Sequence, residues 1–196
     1  MPVGEGTGSD LDAPAFRERL RRREASAWEA LYDACERRVR LVAYRILPER
    51  LDPEATAQQA WVRALHHAKR LDARRSPAPW LAAICVNLCI SVLRRDKANR
   101  RAVEARRNVQ EAPEEDSPAF EGHNPVALRV REGVSRLSRD QQQIVYLRFA
   151  CEMSFQGIAD ALGVPEATVR KRLSRAYGRL RRDLGDDAGL ENLETP

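Results

Sequence analysis

Residues Phe155 to Arg175 read FQGIADALGVPEATVRKRLSR, and the spacing of these letters decides the fold of the C-terminal part of the chain. Ile158 and Leu162 recur at the helical period, Gly163 follows where a turn needs positive φ, and Val164 and Val169 resume the apolar pattern beyond it. Ala159 is small at the point where two helix backbones must approach. The spacing predicts two short helices packed across a tight turn, a helix-turn-helix. The second helix then buries Val169, Leu173, Ala176, Tyr177, Leu180 and Leu184 and leaves Thr168, Arg170, Lys171, Ser174 and Arg175 on other faces. A helix presenting these residues from its N-terminal half suits a DNA major groove, where arginine and lysine donate to guanine edges and the remaining cations hold phosphates. An ordinary helical hairpin with a solvated basic face has the same periodicity. The alanine, the glycine and the basic outer side together separate the two readings.

Outward from this stretch, nearly every periodic segment keeps the helical period, and none alternates long enough for a sheet. The expected fold is all-α. Ser138 with Gln141 caps a helix from Ile144 to Cys151, and Val126 to Leu137 is a further helical pattern. Gln110 to Pro125 holds three prolines, five acids and a glycine, which is linker chemistry. Before it, Phe16 and Leu20 mark a short helix. Ser26 with Glu29 reads as a capping box for a long helix with Trp28, Leu31, Tyr32, Cys35, Val39, Val42 and Ile46 on one face, ending before Pro48. Asp52 and Pro53 open a helix with Ala57, Trp61, Ala64 and Leu65 as its stripe. Another starts near Ser76 to Pro79 and runs through Trp80, Leu81, Ile84, Leu88 and Val92 into a basic block. The expected organisation is a disordered tail over 1–12, a helical domain over 13–107, an acidic proline-containing linker over 108–125, a helix-turn-helix domain over 126–184 and an acidic tail over 185–196.

Hydrophobic residues make up 43% and charged residues 32% of the 196, enough for packed cores under a charged surface. The net charge of +5 and the isoelectric point near 9.3 favour a polyanionic partner, although a GC-rich genome also enriches arginine. The distribution says more: Arg94–Arg107 carries seven bases and two acids, Pro165–Leu184 the same, and Glu111–Glu121 five acids and no base. No run of about 18 apolar residues and no signal peptide is read in the sequence, so the expected location is cytoplasmic, without membrane insertion. Cys35, Cys85, Cys89 and Cys151 lack zinc spacing and read as buried reduced thiols; no metal or cofactor is expected. His66 and His67 are adjacent, so on a helix they diverge, and no phosphate-binding glycine loop is present. The chain is not expected to be an enzyme.

The stretch LSRDQQQIVYLRFACEMSFQGIADALGVPEATVRKRLSRAYGRL, Leu137 to Leu180, closely resembles the C-terminal domain of bacterial sigma factors of the extracytoplasmic-function group. AWEALYDACERRVRLVAYRIL, QQAWVRAL and PWLAAICVNLCISVLRR resemble that group's promoter-melting domain in order and spacing. The resemblance implies an alternative sigma factor that binds core RNA polymerase, reads the minus-thirty-five promoter element with Thr168, Arg170, Lys171, Ser174 and Arg175, and opens the minus-ten element with the first domain. It places Arg74 and Arg75, in the loop from Leu71 to Pro79, with Trp80, Asn87, Arg94, Arg95 and Lys97 at the melting surface, Trp80 serving equally as core. It places polymerase docking at Asp52, Glu54, Gln58, Gln59 and Arg63, and implies an anti-sigma protein as a regulatory partner.

Two departures stand against the family pattern. The docking helix usually carries acids like DLVQE; Ala55, Thr56, Ala57, Gln58 and Gln59 occupy those positions, with Asp52 and Glu54 just upstream as possible substitutes. An FRGD-like stretch in the melting loop is replaced by Leu71 to Arg74. The alternative reading is a polymerase-independent helix-turn-helix repressor or activator, which predicts binding to duplex DNA alone.

Overall fold

The computed structural model describes residues 11–72, 75–107 and 125–184, with 107 and 125–128 as backbone only. The expected tails fall wholly or mostly outside these residues, as do Ala73, Arg74 and nearly all of the expected linker. The described residues form helices and turns, with no strand among them. The helices are α1 (Pro14–Arg21), α2 (Ala25–Ile46), α3 (Pro53–His66), α4 (Pro77–Arg107), α5 (Pro125–Arg136), α6 (Arg139–Phe149), α7 (Phe155–Leu162) and α8 (Glu166–Leu184).

Three helix starts follow from local side-chain chemistry. Asp52 caps α3, its Oδ1 accepting from the Ala55 N–H at 2.9 Å, and Pro53 follows at the first position, where a missing N–H costs nothing. Ser138 and Gln141 form the expected capping box of α6, and Ser154 caps α7 through the Gly157 N–H at 3.0 Å. The Ser26 cap is corrected. α2 begins one residue before it, with Glu24 at the cap position, and the Ser26 hydroxyl instead receives a hydrogen bond from Arg19 at 2.8 Å. The α1 to α2 turn is fixed by Trp28, whose indole N–H donates to the Leu20 carbonyl at 3.0 Å.

α4 is the centre of the molecule. Leu81, Ala82, Ala83, Cys85, Val86, Leu88, Cys89 and Ile90 are all buried, and only the face through Ile84 and Asn87 is left half-buried. α2 and α3 pack against it from the N-terminal group of helices, and α6 and α7 pack against it from the C-terminal group. One window of α4 has the length and apolarity of a membrane span, and its apolar residues are those packed in this core. The two helical groups, expected as separate domains, thus share one continuous apolar cluster. Within α2, Leu31, Cys35, Val39, Val42 and Ile46 take the expected inner face, whereas Tyr32 lies 48% exposed against Trp61. In α3 the small residues Thr56, Ala57, Ala60 and Ala64 face inward and Leu65 faces out, because close packing of α3 on α2 and α4 admits only short side chains.

Polar contacts complete the junction. Arg38 donates to the Cys151 carbonyl at 3.1 Å, and Arg45 donates to the Ala150 carbonyl and to Glu152, both at 2.8 Å. These two cations of α2 satisfy carbonyls just past the end of α6, where the helix dipole is negative. Elsewhere Arg50 grips Asp96 with two bonds of 2.7 and 2.8 Å and ties the 3-10 turn Glu49–Leu51 to α4. That hydrogen bond holds the Asp96 carboxyl below the usual range.

All four cysteines are buried free thiols, as the sequence indicated. Burial pushes the Cys151 thiol up to about 12 and the Tyr146 hydroxyl up to about 12. The hydrogen bond with Cys85, then burial, moves Cys89 upward too. In an unfolded chain such thiols ionise around 9.0, so the folded state binds more protons over the interval between. Stability from these groups is complete below the unfolded value and is lost as pH rises toward 12. Urea midpoints are therefore expected to stay level from neutrality to mildly alkaline pH and then fall, with Cys151→Ala shallowing the fall; a midpoint level throughout would contradict this.

Candidate nucleic-acid interface

The helix-turn-helix forms as its spacing predicts. Gly163 ends α7 with φ 69° and ψ 39°, the left-handed conformation, and its N–H returns to the Ala159 carbonyl at 2.8 Å. Ile158, Ala159 and Val169 are buried between α7 and α8, with Leu162 and Val164 half-buried beside them. Farther along α8, Leu173, Ala176, Leu180 and Leu184 pack inward, while Tyr177 is half-buried and faces Phe149 with ring centroids 6.0 Å apart. The opposite side presents Arg170, Lys171, Ser174 and Arg175 to solvent; Thr168 is half-buried.

Arg170 is the most constrained of these. Its Nε donates to Glu166 Oε1 at 2.8 Å, and its guanidinium carbon lies 4.2 Å from the Phe155 ring centroid. Neither Glu166 nor Phe155 stood among the sequence-derived site residues. The signal for Glu166 was present as an acid one turn before an arginine; Phe155 lies eleven residues before Glu166 and approaches only when the turn closes.

The residues assigned to minus-ten melting divide differently. Arg74 lies outside the described residues. Arg75 pairs with Asp72 at 3.3 Å and rests its guanidinium against Gly163 of the turn. Trp80 is half-buried and packs on the core, the second of its two readings. Asn87 is half-buried on α4, its carbonyl accepting from the Ser91 hydroxyl at 2.8 Å. Arg94 Nε donates to Gln142 at 3.3 Å, and Lys97 donates to the Ser135 hydroxyl at 2.8 Å. Burial, with Arg101 and Arg136 nearby, lowers the Lys97 pKa. Arg95 is exposed. Three of the seven, Arg75, Arg94 and Lys97, therefore touch the helix-turn-helix group.

On α3, Gln58, Gln59 and Arg63 are exposed. The two upstream acids have partners of their own. Asp52 is committed to capping α3, and Glu54 lies 3.8 Å from Arg40, which also pairs with Glu36 at 3.3 Å. Beside Gln58, at one and two turns along the same face, come Val62 and Leu65, exposed by 55% and 42%. Among the described residues no group of three or more acids, histidines or cysteines is placed to hold a metal ion.

Comparison with known proteins gives the same two parts. Residues 31–99 match the family described as Sigma-70 region 2, and residues 127–180 match Sigma-70, region 4. A protein of Xanthomonas campestris pv. campestris, named as the probable RNA polymerase sigma factor RfaY, is 31% identical over 166 residues, or 81% of this chain and 40% of that protein. The chain thus spans well under half the length of that relative. The ECF RNA polymerase sigma factor SigW of Bacillus subtilis is 23% identical, with 86% of this chain and 95% of the relative covered. Among solved structures, CnrH in complex with the cytosolic domain of CnrY shares the fold at a TM-score of 0.56 and 20% identity, covering 90% of this chain and 99% of that one.

Gly163→Ala tests the turn. An alanine at that φ costs about 1–2 kcal/mol, and its Cβ collides with the Arg75 guanidinium. Denaturant titration is expected to show that loss, whereas Gly178→Ala, with open space around the added carbon, is expected to cost nothing or to stabilise the helix.

Proposed function

The chain belongs to the sigma-70 family of RNA polymerase sigma factors, the two matched regions together taking in more than half of its residues, and we propose on that basis that it directs promoter-specific transcription initiation as an alternative sigma factor of the extracytoplasmic-function group. The observation that carries the reading is the helix α8, held by its apolar side in a helix-turn-helix and free on the side bearing Arg170, Lys171, Ser174 and Arg175. These groups read the minus-thirty-five element in the major groove, with Thr168 at the groove edge. The first group of helices opens the minus-ten element, with Arg95, Arg94 and Lys97 drawing phosphates to α4. The work is binding and strand separation, without a bond-making step, and takes place in the cytoplasm where core polymerase acts. An anti-sigma protein is a fitting regulator.

Docking on core polymerase takes an unusual form in this chain. With Asp52 capping α3 and Glu54 beside Arg40, Gln58, Gln59, Val62 and Leu65 supply a neutral, partly apolar contact, and Arg63 flanks it. Burial of that strip replaces charge attraction, so docking is slower to form and less sensitive to salt than an acid-led contact.

The junction also imposes an order on events. Arg75, Arg94 and Lys97 are engaged by the second group of helices, so their use on promoter DNA requires the two groups to part. Each of these polar contacts is worth only about 1 kcal/mol, so the larger cost of parting is the apolar seam, which promoter and polymerase contacts together have to offset.

Run-off transcription with core polymerase of the native organism, on DNA upstream of the chain's own gene, tests the assignment. Specific transcripts are expected with the native chain and none with Arg170→Ala plus Lys171→Ala. Absence of transcripts together with tight duplex binding by the chain alone would establish the independent regulator instead. A second test addresses parting. Arg139 Nη2 and the Ser91 hydroxyl meet at 3.4 Å across the junction, so a Ser91→Cys and Arg139→Cys pair joined by a cleavable bifunctional thiol reagent as long as the lost arginine side chain is expected to block transcription when bridged and to restore it when the bridge is cleaved. Equal transcription in both states would show that no parting is needed.

A further inference from the structure

Arg170 is held from two directions. Both its Nε, at 2.8 Å, and its Nη2, at 2.7 Å, engage the single oxygen Oε1 of Glu166, while its guanidinium carbon sits 4.2 Å from the Phe155 ring centroid. Arg148 approaches the same ring at 5.1 Å, and it is anchored by donating to the Met153 carbonyl at 2.9 Å. The ring thus has a fixed place between two cations at the start of α7. Side-chain exposures of 33% for Glu166 and 51% for Arg170 put the pair at the surface, where a helix ion pair at this spacing adds little to stability. What it does supply is geometry. The guanidinium is oriented before any ligand arrives, and the carboxylate keeps its second oxygen for another donor.

The two groups are chemically complementary to two different base edges. A guanidinium donates bidentately to O6 and N7 of guanine, and a carboxylate accepts from the N4 amino group of cytosine. Residues four apart on a helix are displaced by about 6 Å along its axis, against about 3.4 Å per base step, so a helix lying along the groove sets them on neighbouring or next-neighbouring base pairs. A carboxylate in the groove also repels phosphates, so it penalises sites where no amino group awaits it.

Resting on the proposed reading of the minus-thirty-five element by α8, we infer that Glu166 and Arg170 form a paired reader, Glu166 selecting a cytosine and Arg170 a guanine within two base steps of each other. Phe155 is a positioning residue that keeps the guanidinium plane for guanine. Discrimination comes from the pair being released from itself and satisfied only when both edges are present.

The test is selection of promoter-upstream DNA from a randomised library by holoenzyme assembled from core polymerase and the full chain, followed by sequencing. The native chain is expected to enrich an element with a cytosine and a guanine within two positions. Glu166→Gln is expected to relax the cytosine position by about tenfold while leaving the guanine, since an amide both donates and accepts. Arg170→Lys is expected to relax the guanine while overall affinity persists through the retained charge. Phe155→Ala should weaken the guanine preference severalfold and Phe155→Tyr should restore it, which a merely structural role for the ring would not produce at one base position alone. Base frequencies unchanged in Glu166→Gln would overturn the paired reader and leave the sigma-factor reading standing. Failure of the native holoenzyme to enrich any element would overturn both.

Discussion

A helix that is apolar around most of its circumference has to be covered on most sides, and α4 is such a helix from Leu81 to Ile90, with only the stripe through Ile84 and Asn87 half-buried. α2 and α3 can shield only part of it. The rest is closed by α6 and α7, which belong to the sequence beyond the acidic stretch. This demand for cover is what brings the C-terminal group of helices onto the N-terminal group. Leucine-sized side chains buried in this way contribute about 1.5–3 kcal/mol each, so the apolar seam outweighs the few polar contacts around its rim. Those rim contacts fix the angle at which the two groups meet rather than the fact that they meet.

The rim contacts are of a different kind. The rim is built from long cations such as Arg38, Arg45, Arg94 and Lys97, each satisfied by a carbonyl, an amide or a hydroxyl. A cation leaving such a partner for a phosphate exchanges one hydrogen bond for a stronger, charge-assisted one. Lys97 is the most constrained of them, because its burial, with Arg101 and Arg136 nearby, disfavours its charge.

Much of this was legible in the sequence because it rests on short-range rules. The caps at Asp52 and Ser138 and the left-handed Gly163 each depend on neighbours within four residues, and all three formed as their chemistry dictates. Ser26 misled because a serine and a glutamate at capping distance also fit inside a first turn, and Arg19 offered the hydroxyl a better partner. Tyr32 and Leu65 were expected on inner faces because period alone does not tell which edge of an apolar stripe the neighbouring helix covers. The long-range features were beyond such rules. Arg50 and Asp96 are 46 residues apart, Arg45 and Ala150 are 105 apart, and nothing local distinguishes these arginines from the many others. The exposed side of α8 was read correctly from its apolar side, while the two residues that aim Arg170 were not, since one belongs to a different helix.

Arginine dominates the cations of this chain, and its chemistry gives the placement of acids a common meaning. A guanidinium remains charged at any physiological pH and carries a rigid planar fork, so it is controlled by what it leans against rather than by titration. Asp96 between Arg50 and Arg100, Glu132 beside Arg136, Asp140 beside Arg172 and Glu166 beside Arg170 are such restraints. At exposed sites each pair is weak, so the restraint sets direction without withholding the cation from a better ligand. Asp96 is the exception that marks the boundary: largely buried and gripped by two bonds from Arg50, it holds the Glu49–Leu51 turn on α4 and belongs to the scaffold. The bond lengths of the Arg50–Asp96 and Arg170–Glu166 pairs are alike, and what separates them is exposure, about 13% for the Asp96 side chain against 33% for Glu166.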